Sequence, residues 1–546
     1  MTMSKFAQAI MEQKYSHKNK EGQVETWENI SYRVSKKVLQ AVHAPQTQID
    51  RTRKIIQERK FIPGGRYLAA TGRLFHQVNN CFLFRAEDSR EGWSDLMYKA
   101  TLSLMTGGGI GCDYSAVRER GRLIRKTGGE ATGPIALMQM VNESGRFIMQ
   151  GGSRRSAIWA GLNWSHPDIQ EFIRLKDWPE VIVQQKLINF NFPAPMDMTN
   201  ISVLLDDEFF EAYHDEKHEQ HTLAHSVYWT TIRHMLETGE PGFSIDTGKN
   251  SRETLRNACT EVTSADDSDV CNLGSINMAQ INSLEDMEEA VELGIAFLLA
   301  GTVYSDIPFA GIDKVRNKNR RLGLGLMGLH EWLLRHGRKY GPDSELEKYL
   351  EIYAKADKYV KPYAKKWDLS TPIKTRAIAP NGTIGIVAET TTGVEPIFCA
   401  AYKRRYLKGD VWLAQYVVDP TAKRLLDSGV PLELIEDAYD LANDVERRVS
   451  FQAWVQQYVD HSISSTINLP RWGSELNNES KVRDFGNMLI KYLPKLRGIT
   501  VYPDGARAGQ PLNPVPLADA LAQEGHVFEE SGTTVCDITK GGVCGS

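Results

Sequence analysis

The chain has 546 residues, 41% of them hydrophobic, and a formal net charge of −4. That length accommodates three or four domains or one large α/β barrel, and so small a charge excess gives no sign of a nucleic-acid or membrane-surface partner. No run of about 18 apolar residues occurs and Met1–Phe6 lack an apolar signal segment, so neither a membrane span nor a secretory leader is expected. Seven cysteines are odd in number and sparse for the length, which fits redox-active thiols in a reducing cytoplasm better than a disulfide framework.

Residues 1–75 read as a helical region. Between Trp27 and Val42, the residues Ile30, Val34, Val38, Leu39 and Val42 recur at helical spacing. Phe61-Ile62-Pro63-Gly64-Gly65-Arg66 reads as a glycine-rich break, and Cys81-Phe82-Leu83-Phe84 as the first buried strand. Gly107-Gly108-Gly109-Ile110-Gly111 would let backbone approach a ligand closely; it is neither a dinucleotide fingerprint nor a P-loop, since no Lys-Ser/Thr follows. Gly151 to Ala157, with Arg154-Arg155, leads into a strand at Ile158–Leu162. His166-Pro167-Asp168-Ile169 then opens a helix, with proline and acid suited to a first turn. Asp177 to Met198 is expected to be irregular. Its Gln184, Gln185, Lys186, Asn189 and Asn191 could hydrogen-bond bases, though such residues suit any exposed loop. Strands follow at Asn200–Val203 and, after the turn Gly239-Glu240-Pro241-Gly242, up to Asp246.

Asn257-Ala258-Cys259-Thr260-Glu261 is the stretch around which the rest is organised. An amide, a thiol and a carboxylate occupy alternate positions, and in extended backbone alternate side chains leave on one side. A second thiol, Cys271, stands twelve residues on in Cys271-Asn272-Leu273-Gly274, and a third, Cys81, follows Asn79-Asn80. A free cysteine by itself reads as a small buried hydrophobe; it is the combination that points to chemistry. Asn319 to Gly328 carries glycines for close packing. Thr375–Ala379 reads as a strand, and Pro380-Asn381-Gly382-Thr383-Ile384 as a turn into a helix start. Free N–H groups and the positive end of the helix dipole there make an anion site. Strands are expected within Asp460–Pro470 and from Gly498. Beyond about Leu512 the chain turns proline-, glycine- and polar-rich and ends in Cys536 and Cys544, a pair suited to a tethered redox shuttle and short of a metal-ligand set.

These motifs, in this order from about Tyr15 to the terminal cysteines, resemble ribonucleotide reductase, a family that makes deoxyribonucleotides by thiyl-radical chemistry. The resemblance implies an α/β fold: a ten-stranded barrel over residues 76–511, with a central finger loop carrying Cys259. It would be preceded by the helical region without an ATP-binding cone and followed by a flexible tail from 512 to 546. It implies Cys259 as the thiyl radical, Glu261 as base on the 3′-hydroxyl and Asn257 as a ribose ligand. Cys81 and Cys271 would reduce the substrate and end as a disulfide, which Cys536 and Cys544 would reduce in turn. Gly64, Gly65, Asn80 and Gly109 would lie against the substrate, and Asn381, Gly382, Thr383 and Ile384 would bind its phosphates. Gln184, Gln185, Lys186 and Asn189 would read an effector. Cys112 and Cys399 remain as core residues. Implied partners are a ribonucleotide substrate, a deoxynucleoside triphosphate effector, a thioredoxin- or glutaredoxin-type reductant and a second copy of the chain.

Family members that take their radical from a separate metal subunit carry adjacent tyrosines near the last strand. Here Val501-Tyr502-Pro503-Asp504-Gly505 has one tyrosine and then proline, similar to members that use adenosylcobalamin, which is therefore the expected cofactor. The alternative is a catalytic subunit served by a metal-containing partner. Two rivals differ in class: a nucleotide-binding regulator without chemistry, which the intact thiol–carboxylate set argues against, and a general dithiol oxidoreductase, which would call for the Cys-x-x-Cys the sequence lacks.

Overall fold

The computed structural model describes residues 3–148, 156–189, 192–408, 411–505, 512–523 and 527–529. Its centre is a ten-stranded sheet. Cys81–Arg85, Gly109–Asp113, Ile158–Asn163, Thr199–Asp206 and Gly242–Asp246 run parallel side by side. They are almost wholly buried, as strands covered on both faces must be. Helices such as Arg90–Met105, Gly133–Phe147 and His221–Thr238 form the crossovers. Gly242–Asp246 meets Gly498–Pro503 antiparallel, and that strand lies parallel to Thr466–Leu469. On the other flank Cys81–Arg85 is antiparallel to Asp269–Asn277, which also pairs with Leu322–Met327.

The two flanks are brought together by single bridges, Leu324 to Arg376 and Ile378 to Ile463. Ala377 N donates to Leu324 O at 3.1 Å and Ser464 N to Ile378 O at 2.9 Å, so pairing continues into the segment that becomes Thr466–Leu469. The expected strand at Thr375–Ala379 is thus an extended connector with isolated bridges, and it completes the barrel.

Helix Trp27–Gln40 forms as its periodicity predicts, burying Ile30, Val34, Val38 and Leu39 and starting in a capping box between Thr26 and Asn29. It packs on Leu284–Tyr304, a helix that is apolar all round, and buried, from Leu293 to Thr302. No helix among the described residues is long and apolar enough to cross a membrane.

In four places the structure departs from the expectations. Phe61–Pro63 is a strand of the main sheet, antiparallel to Asp269–Asn277, so the sheet begins before residue 76. Gly64 ends it, where a Cβ would lie 2.6 Å from Leu273 O. The stretch expected to be irregular after Asp177 contains a helix, Glu180–Ile188; no glycine or proline interrupts those residues, and Gln184 donates to Glu180 one turn back at 2.6 Å. A hairpin, Ala401–Lys408 with Val411–Val418, stands outside the barrel. Its edges take up Leu512–Pro514 and Val527–Glu529, so this part of the expected loose tail is held by strand pairing.

Candidate active site

The Asp246–Asp269 connection enters the barrel as a finger. Its two arms pair, Leu255 with Ser264 and Arg256 with Thr263. Asn257 closes the tip: its Oδ1 accepts from Val262 N at 3.0 Å and its carbonyl from Thr260 N at 3.0 Å. Thr260 turns the chain in the left-handed region, φ 67°. Glycine makes room for the finger, because a Cβ on Gly111 of the barrel wall would stand 2.0 Å from Arg256 O. Ser462 N donates to Glu261 O at 2.9 Å and ties the tip to the far wall.

The tip faces a cavity of about 280 Å³. Asn257, Cys259 and Glu261 line it together with Cys81, and so do Gly64, Gly65, Asn80, Gly109 and Asn381–Ile384. Cys259 is enclosed by protein and yet exposed, because its free surface is the cavity. Asn257 Nδ2 donates to Cys81 Sγ at 3.1 Å, and that sulfur lies 3.9 Å from Glu261 Oε1. Cys81 and Cys271 are direct cross-strand partners. Residues so placed have Cα atoms about 4.5–5.5 Å apart, inside the range a disulfide spans. Cys271 is fully buried behind Cys81 in an apolar shell with Leu83, Val262 and Leu273.

Burial dominates the electrostatics. It pushes the Cys259 thiol up, with help from Glu261, and raises Cys81 and Cys271 well above the ordinary range. All three are therefore neutral S–H groups. The Glu261 carboxyl is raised to about 7 by the same loss of water, against the opposing hydrogen bond from Asn257.

In the phosphate turn, Asn381 adopts φ 57° as N-cap of helix Gly382–Ala388. Its side chain accepts from Ser275 Oγ at 3.1 Å and donates to Leu326 O at 3.3 Å, which fixes the turn to two barrel strands. The first-turn N–H groups have no intrahelical acceptor and belong to residues that line the cavity.

The sequence matches the family described as ribonucleotide reductase, barrel domain, over residues 79–228, 206–355 and 373–502. The chain belongs to the ribonucleotide reductase family. Among its relatives is the vitamin B12-dependent ribonucleoside-diphosphate reductase of Thermoplasma acidophilum, 26% identical over 88% of this chain and 68% of that protein. The protein of the same description from Mycobacterium tuberculosis (strain CDC 1551 / Oshkosh) is 25% identical over 87% of this chain and 74% of its own length.

Within this reductase chain, several residues of the cavity wall were not assigned to it from sequence, and three of them have larger side chains. Tyr15 arrives from the N-terminal helix Lys5–Lys14 and lies against Gly65; a single tyrosine after a helix carries no local signal of such a role. Arg66 donates to Gln77 O at 3.1 Å and Thr106 O at 2.8 Å, joining the two glycine-rich walls. Leu273 is the third, on the strand that carries Cys271. Gln184, Gln185, Lys186 and Asn189 are not among the cavity-lining residues. The first three lie on helix Glu180–Ile188 and Asn189 is its C-cap; Lys186 pairs with Asp197 at 2.7 Å. His166 is buried and holds Val117 O at 2.8 Å beside its helix start. Cys112 and Cys399 are buried, their thiols facing backbone carbonyls. Cys536, Cys544, Asn191 and Arg154-Arg155 lie outside the described residues.

Proposed function

We propose that this chain reduces ribonucleoside diphosphates to 2′-deoxyribonucleotides through a thiyl radical on Cys259, formed with adenosylcobalamin. The observation that carries the reading is the convergence of Cys259, Cys81, Glu261 and Asn257 on one cavity, which a phosphate-type turn also lines. The diphosphate and the cofactor are those named for the two relatives.

Each residue has work its chemistry suits. The Cys259 sulfur radical takes the 3′-hydrogen of the ribose, and Glu261, whose Oε2 accepts no hydrogen bond among the described residues, receives the 3′-hydroxyl proton. Asn257 orients Cys81 and the sugar. Loss of the 2′-hydroxyl as water needs two electrons and two protons. Cys81 and Cys271 supply both electrons and both protons as their two S–H groups join in a disulfide, Glu261 gives back the 3′-hydroxyl proton, and Cys259 returns the 3′-hydrogen. Cys544 and Cys536 then reduce that disulfide by thiol exchange with a thioredoxin- or glutaredoxin-type protein. A deoxynucleoside triphosphate acts as effector through Gln184, Gln185, Lys186 and Asn189 in a homodimer.

The cofactor's fit rests on a second cavity, about 510 Å³, which meets the reaction cavity at Pro380. Thr391, Ser464, Thr466, Asn468 and Tyr502 offer polar groups there, beside the apolar Phe398. The buried Thr391 hydroxyl has no partner among the described residues. These residues would hold the adenosyl end of the cofactor. When bound, adenosylcobalamin supplies the radical equivalent that removes hydrogen from the Cys259 thiol.

The test is the purified chain with CDP, dithiothreitol and adenosylcobalamin. Formation of dCDP is expected. No product under these conditions, with product restored by a separate metal-containing subunit, would overturn the radical source.

A further inference from the structure

The base of the finger holds a buried ionic cluster that the chemistry above does not use. Three carboxylates, Asp246, Glu253 and Asp269, meet Arg256, Arg321, Lys374 and Arg497, and each of the seven is at most about one-tenth exposed at its side chain. Glu253 is the hub. Its Oε1 accepts from Arg321 Nη1 at 2.9 Å, and its Oε2 accepts from Thr263 Oγ1 at 2.8 Å and from Lys374 Nζ. Arg497 Nη2 stands 3.7 Å away.

We infer that Glu253 is a positioning residue for Cys259, the clasp that fixes both arms of the finger to the barrel wall. Glu253 sits at the start of the outgoing arm, and Thr263 belongs to the returning arm, so their hydrogen bond closes the finger across its base. Arg321 and Lys374 come from the wall, at the start of strand Leu322–Met327 and beside the connector that completes the barrel. Arg321 also grips Asp269, at the finger's exit, at 2.8 Å, and Asp269 accepts from Ser264 of the returning arm at 2.6 Å. The outgoing arm is gripped a second time. Arg256, one residue before Asn257, is fully buried; it donates to the Glu253 carbonyl at 2.5 Å and to Asp246 Oδ1 at 2.5 Å. His461 completes the returning arm, its Nδ1 accepting from Thr263 N at 3.1 Å. Both ends of the six-residue tip are thus held by directional contacts.

The cluster has one more cation than it has carboxylates. Burial beside Arg497 already pulls the Lys374 ammonium down to about 8. Removing the hub charge breaks buried pairs without replacing them, which leaves neighbouring cations facing one another. The finger is the part free to yield, because the other partners belong to the sheet. A displacement of about 1 Å at a reacting atom lowers a rate by roughly a hundredfold.

This inference rests on Cys259 as the reacting thiol, and the test separates the two. With the wild-type chain turning over, Glu253→Gln should lower kcat by about a hundredfold with KM within about twofold, and Glu253→Asp, which keeps the charge, should recover part of the loss. Thr263→Val removes the hydroxyl that bonds Glu253 and also contacts His461 Nδ1 and Lys374 Nζ, removes no charge, and serves if Glu253→Gln does not fold; it should lower kcat by less than the roughly hundredfold of Glu253→Gln. Mass-spectrometric alkylation of the Cys259 peptide, which needs no turnover, should change in rate in both variants. An inactive wild type would sink the function, not the clasp. An active wild type with unchanged kcat and unchanged Cys259 alkylation in folded Glu253→Gln and Thr263→Val would overturn the clasp.

Discussion

Cys259 and Glu261 are two residues apart, and the same loss of water acts on both. The thiol is kept protonated, which a hydrogen-atom donor requires, and the carboxyl titrates near neutrality. Cys259→Ala should abolish turnover and leave nucleotide binding within about twofold, since one small side chain replaces another; full activity in that variant would refute the radical assignment. The Glu261 value makes a pH prediction. As base it must be ionised, so kcat/KM should rise with pH through about 7, and Glu261→Gln should lose that limb along with most of the rate. The sign for stability is opposite. The folded chain holds a proton that the unfolded chain releases near 4.5, so this stabilising contribution is complete below that pH and lost as pH climbs through about 7. A flat kcat/KM profile between pH 6 and 8 would show that another group limits the reaction.

Elements set what the residues can reach. Cys81 and Cys271 come from strands 190 positions apart in sequence, and antiparallel register alone places them face to face. One turnover without external reductant should leave them as a disulfide, detectable as a Cys81–Cys271 crosslinked peptide; both thiols still free after product forms would contradict the pairing. The barrel wall at Gly109–Asp113 depends on the missing side chain of Gly111. Gly111→Ala would drive a methyl into Arg256 O, and such overpacking costs about 1–3 kcal/mol. Chemical denaturation should show the loss, together with reduced activity as the finger shifts. An unchanged unfolding midpoint with full activity would mean that the finger sits further from this wall.

At the scale of the whole molecule, the barrel encloses the candidate site, and the proposed thiol exchange requires the terminal cysteines to reach it. The described part of that region is paired to the Ala401–Lys408/Val411–Val418 hairpin up to Glu529, and the two terminal thiols lie beyond it. Replacing Cys536 and Cys544 with serine should abolish turnover driven by thioredoxin while sparing one turnover by the prereduced enzyme. Loss of that first turnover would assign these cysteines another task.

Much of the site could be read from the residues in order, because its chemistry is local. Asn257, Cys259 and Glu261, and Asn381–Ile384 between an extended segment and a helix, are short patterns; the first is held as a turn at Thr260, φ 67°, rather than extended, and still brings its three side chains to one cavity. Apolar runs marked Cys81–Phe84 and Ile158–Leu162 as strands, whereas Gly109–Asp113 and Leu322–Met327 were read for their glycines and prove to be strands as well. Other features depend on contacts between distant segments. Phe61–Pro63 looks like a turn until Asp269–Asn277 supplies its partner, and the strands near the C-terminus need the hairpin's edges. Tyr15 reaches the cavity only because its helix docks against Gly382–Ala388. Glu253, Arg321, Lys374 and Arg497 are ordinary charged residues in sequence. Folding removes water from all four at once, and only then must each charge find the partner that holds the finger in place.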